Sequence, residues 1–137
     1  MICVLDSNVL VSAMRSRLGA SNELIRCLAG GKFRTAVSTA LIIEYGDVLH
    51  RPGMVTCYTD KEIDSFINSF CAVSTEAYIY FRWRPFLPDP KDDHVFECAL
   101  ASGASHIVTH NIRDFRGLDP FGISIVTPNQ FLRILKL

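Results

Sequence analysis

The sequence predicts an α/β fold: a three-layer sandwich with a central, mostly parallel sheet of four or five strands flanked by helices. Three observations predict it. Short apolar runs without alternation, such as Ile2–Leu5, read as strands buried on both faces. Segments with helical periodicity and recognisable caps separate those runs. At 137 residues, with 49% apolar and 20% charged residues, the chain suits one domain, residues 1–137, with a substantial core.

The elements follow in order. Ile2–Leu5 is a strand stopped by Asp6-Ser7-Asn8, where Ser7 or Asn8 can cap a helix over Val9–Met14. Ser21, with Glu23 close behind, opens a second helix that ends at Gly30-Gly31. Phe33–Val37 is a short strand. Ser38 caps a third helix with an apolar face of Leu41, Ile42, Tyr45, Val48 and Leu49, and Glu44 lies at the border of that face. Thr59-Asp60-Lys61-Glu62 is a capping box for a fourth helix, striped by Ile63, Phe66, Ile67 and Phe70.

Ala77–Phe81 reads as a further strand, and Arg82 and Arg84 around Trp83 form a basic, aromatic rim. Pro85, Pro88 and Pro90 break regular structure ahead of an acidic turn. Lys91–Gly103 is the fifth helix, with Phe96, Ala99, Leu100 and Gly103 on its buried face. Ile107-Val108 is the core of a strand, Ile112–Leu118 a short helix or loop, and Ile123–Val126 a last strand. Thr127 caps a terminal helix with Pro128 at its first position, where the missing N–H costs nothing.

Net charge is zero, which disfavours binding nucleic acid through bulk positive charge but leaves room for an acidic site with a basic rim. Five cysteines, Cys3, Cys27, Cys57, Cys71 and Cys98, form no close pair and mostly sit in apolar runs, as reduced thiols do in a cytoplasmic protein. No apolar run approaches the ~20 residues of a membrane span.

In open α/β sheets, ligands bind outside the carboxyl ends of the strands. Asp6 and Asn111 fall there. Asp92 and Asp93 stand at a helix start, and Glu44 lies early in the helix after the second strand, within its second turn. Carboxylates gathered in one pocket repel: a pair at ~4 Å costs about 4 kcal/mol at an effective dielectric of ~20. A divalent cation removes that cost, and oxygen ligands without His or Cys favour Mg²⁺ or Mn²⁺. Each acid also has a purely structural use, as a helix cap or as a partner of the helix dipole.

The segments VLDSNVLVSA, DPKDDHVFECALASGASHIVTHN, the following RDF and the terminal VTPNQFL together resemble the PIN-domain family. The resemblance covers essentially the whole chain. It is similar above all to bacterial and archaeal members identified as toxin components (VapC-like ribonucleases) of type II toxin–antitoxin pairs. It implies a small α/β protein that cleaves RNA with acidic residues around Mg²⁺ or Mn²⁺. Asp6, Glu44 and Asp93 then match the family's first three acids, with Asp93 preferred to Asp92 for its separation from Thr109 and Asn111. Asn111 holds the fourth position, often Asp in the family, and Asp114 is a further ligand or substitute. Ser7 and Thr109 orient ligands or water, with Asn8 and Asp92 in support.

Asn111 offers an oxygen but no charge. The expectation is therefore one firmly held ion, with a second weak or brought by substrate. His94 and Glu97, which flank the site on the same helix, are expected on its rim or just behind the ligands. Arg15, Arg17 and Arg113, with other loop arginines, are candidates for RNA phosphates. The implied function is a metal-dependent endoribonuclease, the toxin of a toxin–antitoxin pair, with a small antitoxin as partner and a homodimer as assembly. The alternative is a catalytically weak or inactive PIN module that binds RNA or a protein partner.

Overall fold

The computed structural model describes residues 1–79, 87, 89 and 92–136. Its sheet has five parallel strands: β1 (Ile2–Leu5), β2 (Arg34–Val37), β3 (Thr75–Glu76), β4 (His106–Val108) and β5 (Ser124–Val126). The helices are α1 (Ser7–Arg15), α2 (Ala20–Ala29), α3 (Thr39–Leu49), α4 (Asp60–Ala72), α5 (Asp93–Ser102) and α6 (Pro128–Lys136). Helices flank the sheet, as the alternating pattern predicts. α5 packs on β1, β2 and β4, while α1 joins α2 and α3, and α2 joins α6.

Strand order is β3-β2-β1-β4-β5. The chain builds outward from β1 to β3, then returns to the other side of β1 for β4 and β5. The direction of building therefore reverses between β1 and β4, the kind of place where open α/β sheets form their ligand crevice. At this end the sheet also parts on its other side. The β1–β2 register runs through Ile2–Arg34 and Cys3–Thr35, whereas β1–β4 continues to Leu5–Val108. The Tyr45 hydroxyl, fully buried, donates to the Leu5 carbonyl at 2.5 Å. It thereby holds α3 against the strand end just before Asp6.

Several caps form as expected. Ser38 Oγ accepts from Leu41 N–H, and Thr59 with Glu62 closes a full capping box. The terminal helix has one too: Gln130 N–H donates to Thr127 Oγ1, and Thr127 N–H donates to Gln130 Oε1. Gly103 ends α5 at φ 69°, a left-handed conformation natural to glycine. Tyr45 and Phe70 pack edge to face at 5.7 Å, joining α3 to α4.

Other expectations need correction. The cap of α1 is Asp6, not Ser7 or Asn8; its carboxylate accepts from Ser7 N–H, and the helix starts two residues early. The edge strand is Thr75–Glu76, and Ala77, Tyr78 and Ile79 are not in a strand. Ser74 fixes that earlier position by pairing its hydroxyl with buried Thr35 on β2, 2.8 Å away. The rest of Ala77–Phe81, the Arg82–Trp83–Arg84 rim, Pro85, Pro88, Pro90 and Lys91 lie outside the described residues. α5 is buried more widely than one stripe, including Val95, Glu97 and Cys98, because it lies across three strands, while Gly103 is exposed. Of the cysteines, Cys3 and Cys98 are buried, Cys27 and Cys71 half-buried, and Cys57 exposed. Among the described residues no helix is long and apolar enough to cross a membrane.

Candidate functional site

An open cleft of about 590 Å³ lies at the carboxyl ends of β1 and β4. Its acidic lining is Asp6, Glu44, Asp89, Asp92 and Asp114, joined by Ser7, Asn8, His110 and Asn111. Residues distant in sequence meet here because the end of β1, the start of α5 and the turn after β4 share one edge of the sheet.

Asp6 is the most constrained of them. It is 7% exposed, and Ser7 N–H donates to its Oδ1 at 2.8 Å. Its Oδ2 accepts from Thr109 Oγ1 at 2.7 Å and from Asn8 Nδ2 at 3.2 Å. Burial pushes its carboxyl above the ordinary range; the Thr109 and Ser7 bonds pull it back, and Asp114 and Glu44 push it up again.

Thr109 and Asn8 form the frame. Thr109 is fully buried, and its Oγ1 also accepts from Asn111 N–H at 3.0 Å. Asn8 Nδ2 lies 3.3 Å from the same oxygen, and Asn8 Oδ1 accepts from His110 N–H at 3.2 Å. One side chain after β1 thus reads the backbone after β4. Of the two hydroxyl residues expected to orient ligands or water, Thr109 bonds Asp6 through its hydroxyl and Ser7 through its backbone N–H.

The adjacent acids Asp92 and Asp93 occupy different surroundings. Asp92 lines the cleft; its Oδ2 is buried and has no hydrogen-bond partner among the described residues. Burial pushes its carboxyl up to about 7, with Asp6, Asp89, Asp114 and Asp93 adding repulsion. Asp93 is fully buried, and its Oδ1 accepts from Leu87 N–H at 2.9 Å. It ties the segment before α5 to the helix start.

Glu44, half-buried on α3, also lines the cleft. Asp114 is brought there by a 3-10 turn, Ile112–Phe115, in which Asp114 N–H donates to the Asn111 carbonyl at 3.1 Å. Asn111 is exposed at the rim. Arg15 lines the far end of the cleft, Arg17 is exposed and outside its lining, and Arg113 borders a separate shallow depression with His110 and Asp114. His94 is half-buried and Glu97 is 3% exposed, so of the two positions expected, on the rim or behind it, Glu97 is not at the rim: α5 turns it into the interior.

Two further lining residues, Asp89 and His110, carry no site signal in the sequence. Asp89 sits between two prolines and reads as part of a turn. The backbone bond from Asp92 N–H to Asp89 O, 3.0 Å, brings the two acids together. His110 is set by a 3.2 Å contact of its Nε2 with buried Ser21 Oγ on α2, a partner far away in sequence.

The donor set fits a hard divalent cation. Every acidic donor is an oxygen, two of the carboxyls are held above their ordinary range by burial and mutual repulsion, and a buried Asp92 oxygen lacks a donor. Among the described residues, no three His, Cys, Asp or Glu side chains already stand as a closed metal group. The cleft is an open ring of acids.

Comparison with known proteins agrees with this architecture. Residues 3–113 match the family model described as PIN domain. A chain of the crystal structure of VapBC2 from Rickettsia felis bound to a DNA fragment from their promoter has a similar fold, with a TM-score of 0.60 at 15% identity over 91% of this chain and 97% of that one. No curated protein matches.

Proposed function

The chain belongs to the PIN domain family, and on that premise we propose that it is a Mg²⁺- or Mn²⁺-dependent endoribonuclease that acts as the toxin of a toxin–antitoxin pair. One observation carries the reading. Asp6, Glu44, Asp92 and Asp114 line a single cleft at the reversal point of the sheet, with a buried Asp92 oxygen that has no partner among the described residues. Uncompensated carboxylates are costly to keep together, and structures retain such strain where function uses it.

In this proposal Asp6, Asp92, Glu44 and Asp114 hold the ion, with Asn111 as a neutral oxygen donor. Asp93 serves the site by fixing the start of α5 through Leu87. One ion is held firmly; a second, with an amide in the fourth acidic position, is weak or arrives with substrate. A divalent cation held by these residues would supply Lewis-acid chemistry for phosphodiester hydrolysis. Thr109 and Ser7 hold Asp6 in a single orientation, and Asn8 keeps the strand ends in register. Arg15, Arg17 and Arg113 are the candidate phosphate contacts.

The toxin role is supported by the fold shared with a chain of the VapBC2 structure. It entails a small antitoxin that masks the acid cleft; a homodimer is proposed on the family resemblance alone. A second reading has its own observation: no closed group of three ligands stands among the described residues, which suits a weak or non-catalytic PIN module that binds RNA. Titration of the protein with Mn²⁺ separates the two. Tight binding that is lost in Asp92→Asn supports the enzyme; absence of binding supports the module.

A further inference from the structure

The acids occupy only part of the cleft. Beyond Glu44 its lining changes to Val11, Ser12 and Arg15 on α1, Ser16 just past its end, Val48 on α3, and Met54 in the turn that follows. Arg15 is the one Lys or Arg among the described lining residues. Its guanidinium is already oriented: Nε donates to the Met54 carbonyl at 2.6 Å, and Nη2 lies 3.5 Å from Met54 Sδ. Two of its five N–H donors are thereby engaged, and the planar fork leaves the others pre-aimed. Arg17 has no place on this lining.

Distance separates this end from the chemistry. The eight residue steps from Ser7 to Arg15 on α1, at ~1.5 Å each, put Arg15 about 12 Å along the helix from Ser7. Successive phosphates of a stacked strand rise ~3.4 Å. A phosphate at Arg15 is therefore not the one at Asp6 and Asp92.

We propose that the Arg15–Met54 end of the cleft is a subsite for a second nucleotide of a single-stranded RNA, displaced by at least one position from the scissile phosphate. Its phosphate sits on the Arg15 guanidinium, and its base lies against the Met54 thioether and Val48. A soft, polarisable sulfur suits the face of any base, so the subsite selects strandedness and length more than sequence. A duplex keeps its bases turned to its own partner strand and cannot use the apolar wall. The proposal rests on the reading of the acid end as a ribonuclease site.

The test is anisotropy of a labelled single-stranded 12-mer oligoribonucleotide across a salt series, with Ca²⁺ present to occupy the acids. Arg15→Ala is expected to weaken binding about tenfold and to reduce the slope of log affinity against log salt by about 0.7, the share of one phosphate on a single strand. Arg15→Lys keeps the charge without the fork and is expected to keep the slope. Met54→Ala is expected to weaken binding with an unchanged slope. Thermal unfolding checks each variant, and if Arg15→Ala does not fold, the other two decide. Wild-type affinity and slope in Arg15→Ala, equal binding of duplex and single strand, or no binding by the unaltered chain overturns the subsite. RNA cleavage that persists while Arg15→Ala binds normally removes the subsite alone. Loss of binding as expected, with no cleavage by the unaltered chain, removes the nuclease reading alone.

Discussion

The Thr109 hydroxyl donates to Asp6 Oδ2 at 2.7 Å, across a sequence separation of 103 residues. Both groups are buried, and the bond closes the gap between the ends of β1 and β4. Hydrogen bonds to charged groups contribute about 1.5–3 kcal/mol. Thr109→Val is expected to lose stability of that order in denaturant titration and to cut RNA cleavage sharply. Thr109→Ser keeps the hydroxyl and is expected to retain most of both.

Asp92 is expected to trade stability for function. Asp92→Asn removes a charge that Asp6, Asp89, Asp114 and Asp93 oppose. The metal-free variant should melt a few degrees higher than the unaltered chain by calorimetry, while losing cation binding. A lower melting temperature would mean that the carboxylate is structural.

The same residue sets a pH dependence. Its folded carboxyl stands at about 7, above the ordinary 3.8. The protonated form is thus favoured in the folded state. Its contribution is full below 3.8 and is lost as pH rises through about 7. Metal-free protein should therefore lose stability over that window, and Asp92→Asn should flatten the profile. Added Mn²⁺ should raise the melting temperature more at pH 7.5 than at pH 5.

His50 gives a second, independent titration. Its Nδ1 lies 3.2 Å from Asp60 Oδ1 and its Nε2 lies 2.7 Å from Asp64 Oδ1, linking the end of α3 to α4. Hydrogen bonds to Asp64 and then Asp60 raise its pKa above the ordinary 6.5. Only the protonated ring donates from both nitrogens. The stabilisation is full below 6.5 and is lost as pH rises through the raised value. His50→Gln should lower the melting temperature slightly at pH 6 and leave it unchanged at pH 9, because surface pairs contribute little.

Much of this was legible in the chain itself, where the signal is local. Ser38 and Thr59–Glu62 cap their helices because short polar side chains reach backbone N–H groups within the same turn. The unalternating run at Ile2–Leu5 marks a strand covered on both faces. Strand order was not legible, since it depends on contacts between distant segments. The edge strand lies earlier than its apolar residues suggest because Ser74 pairs with Thr35 on β2. Asp92 and Asp93 differ by one position, which on a helix turns a side chain by about a quarter of a circle. That turn decides which carboxyl lines the cleft and which lies beneath it, and spacing alone does not resolve it.

The most direct test is cleavage of a mixed pool of structured RNAs with Mn²⁺ or Mg²⁺, comparing the unaltered chain with Asp92→Asn and with added EDTA. The account predicts cleavage by the unaltered chain that EDTA abolishes and Asp92→Asn loses. Equal cleavage by Asp92→Asn, or cleavage that survives EDTA, would contradict it.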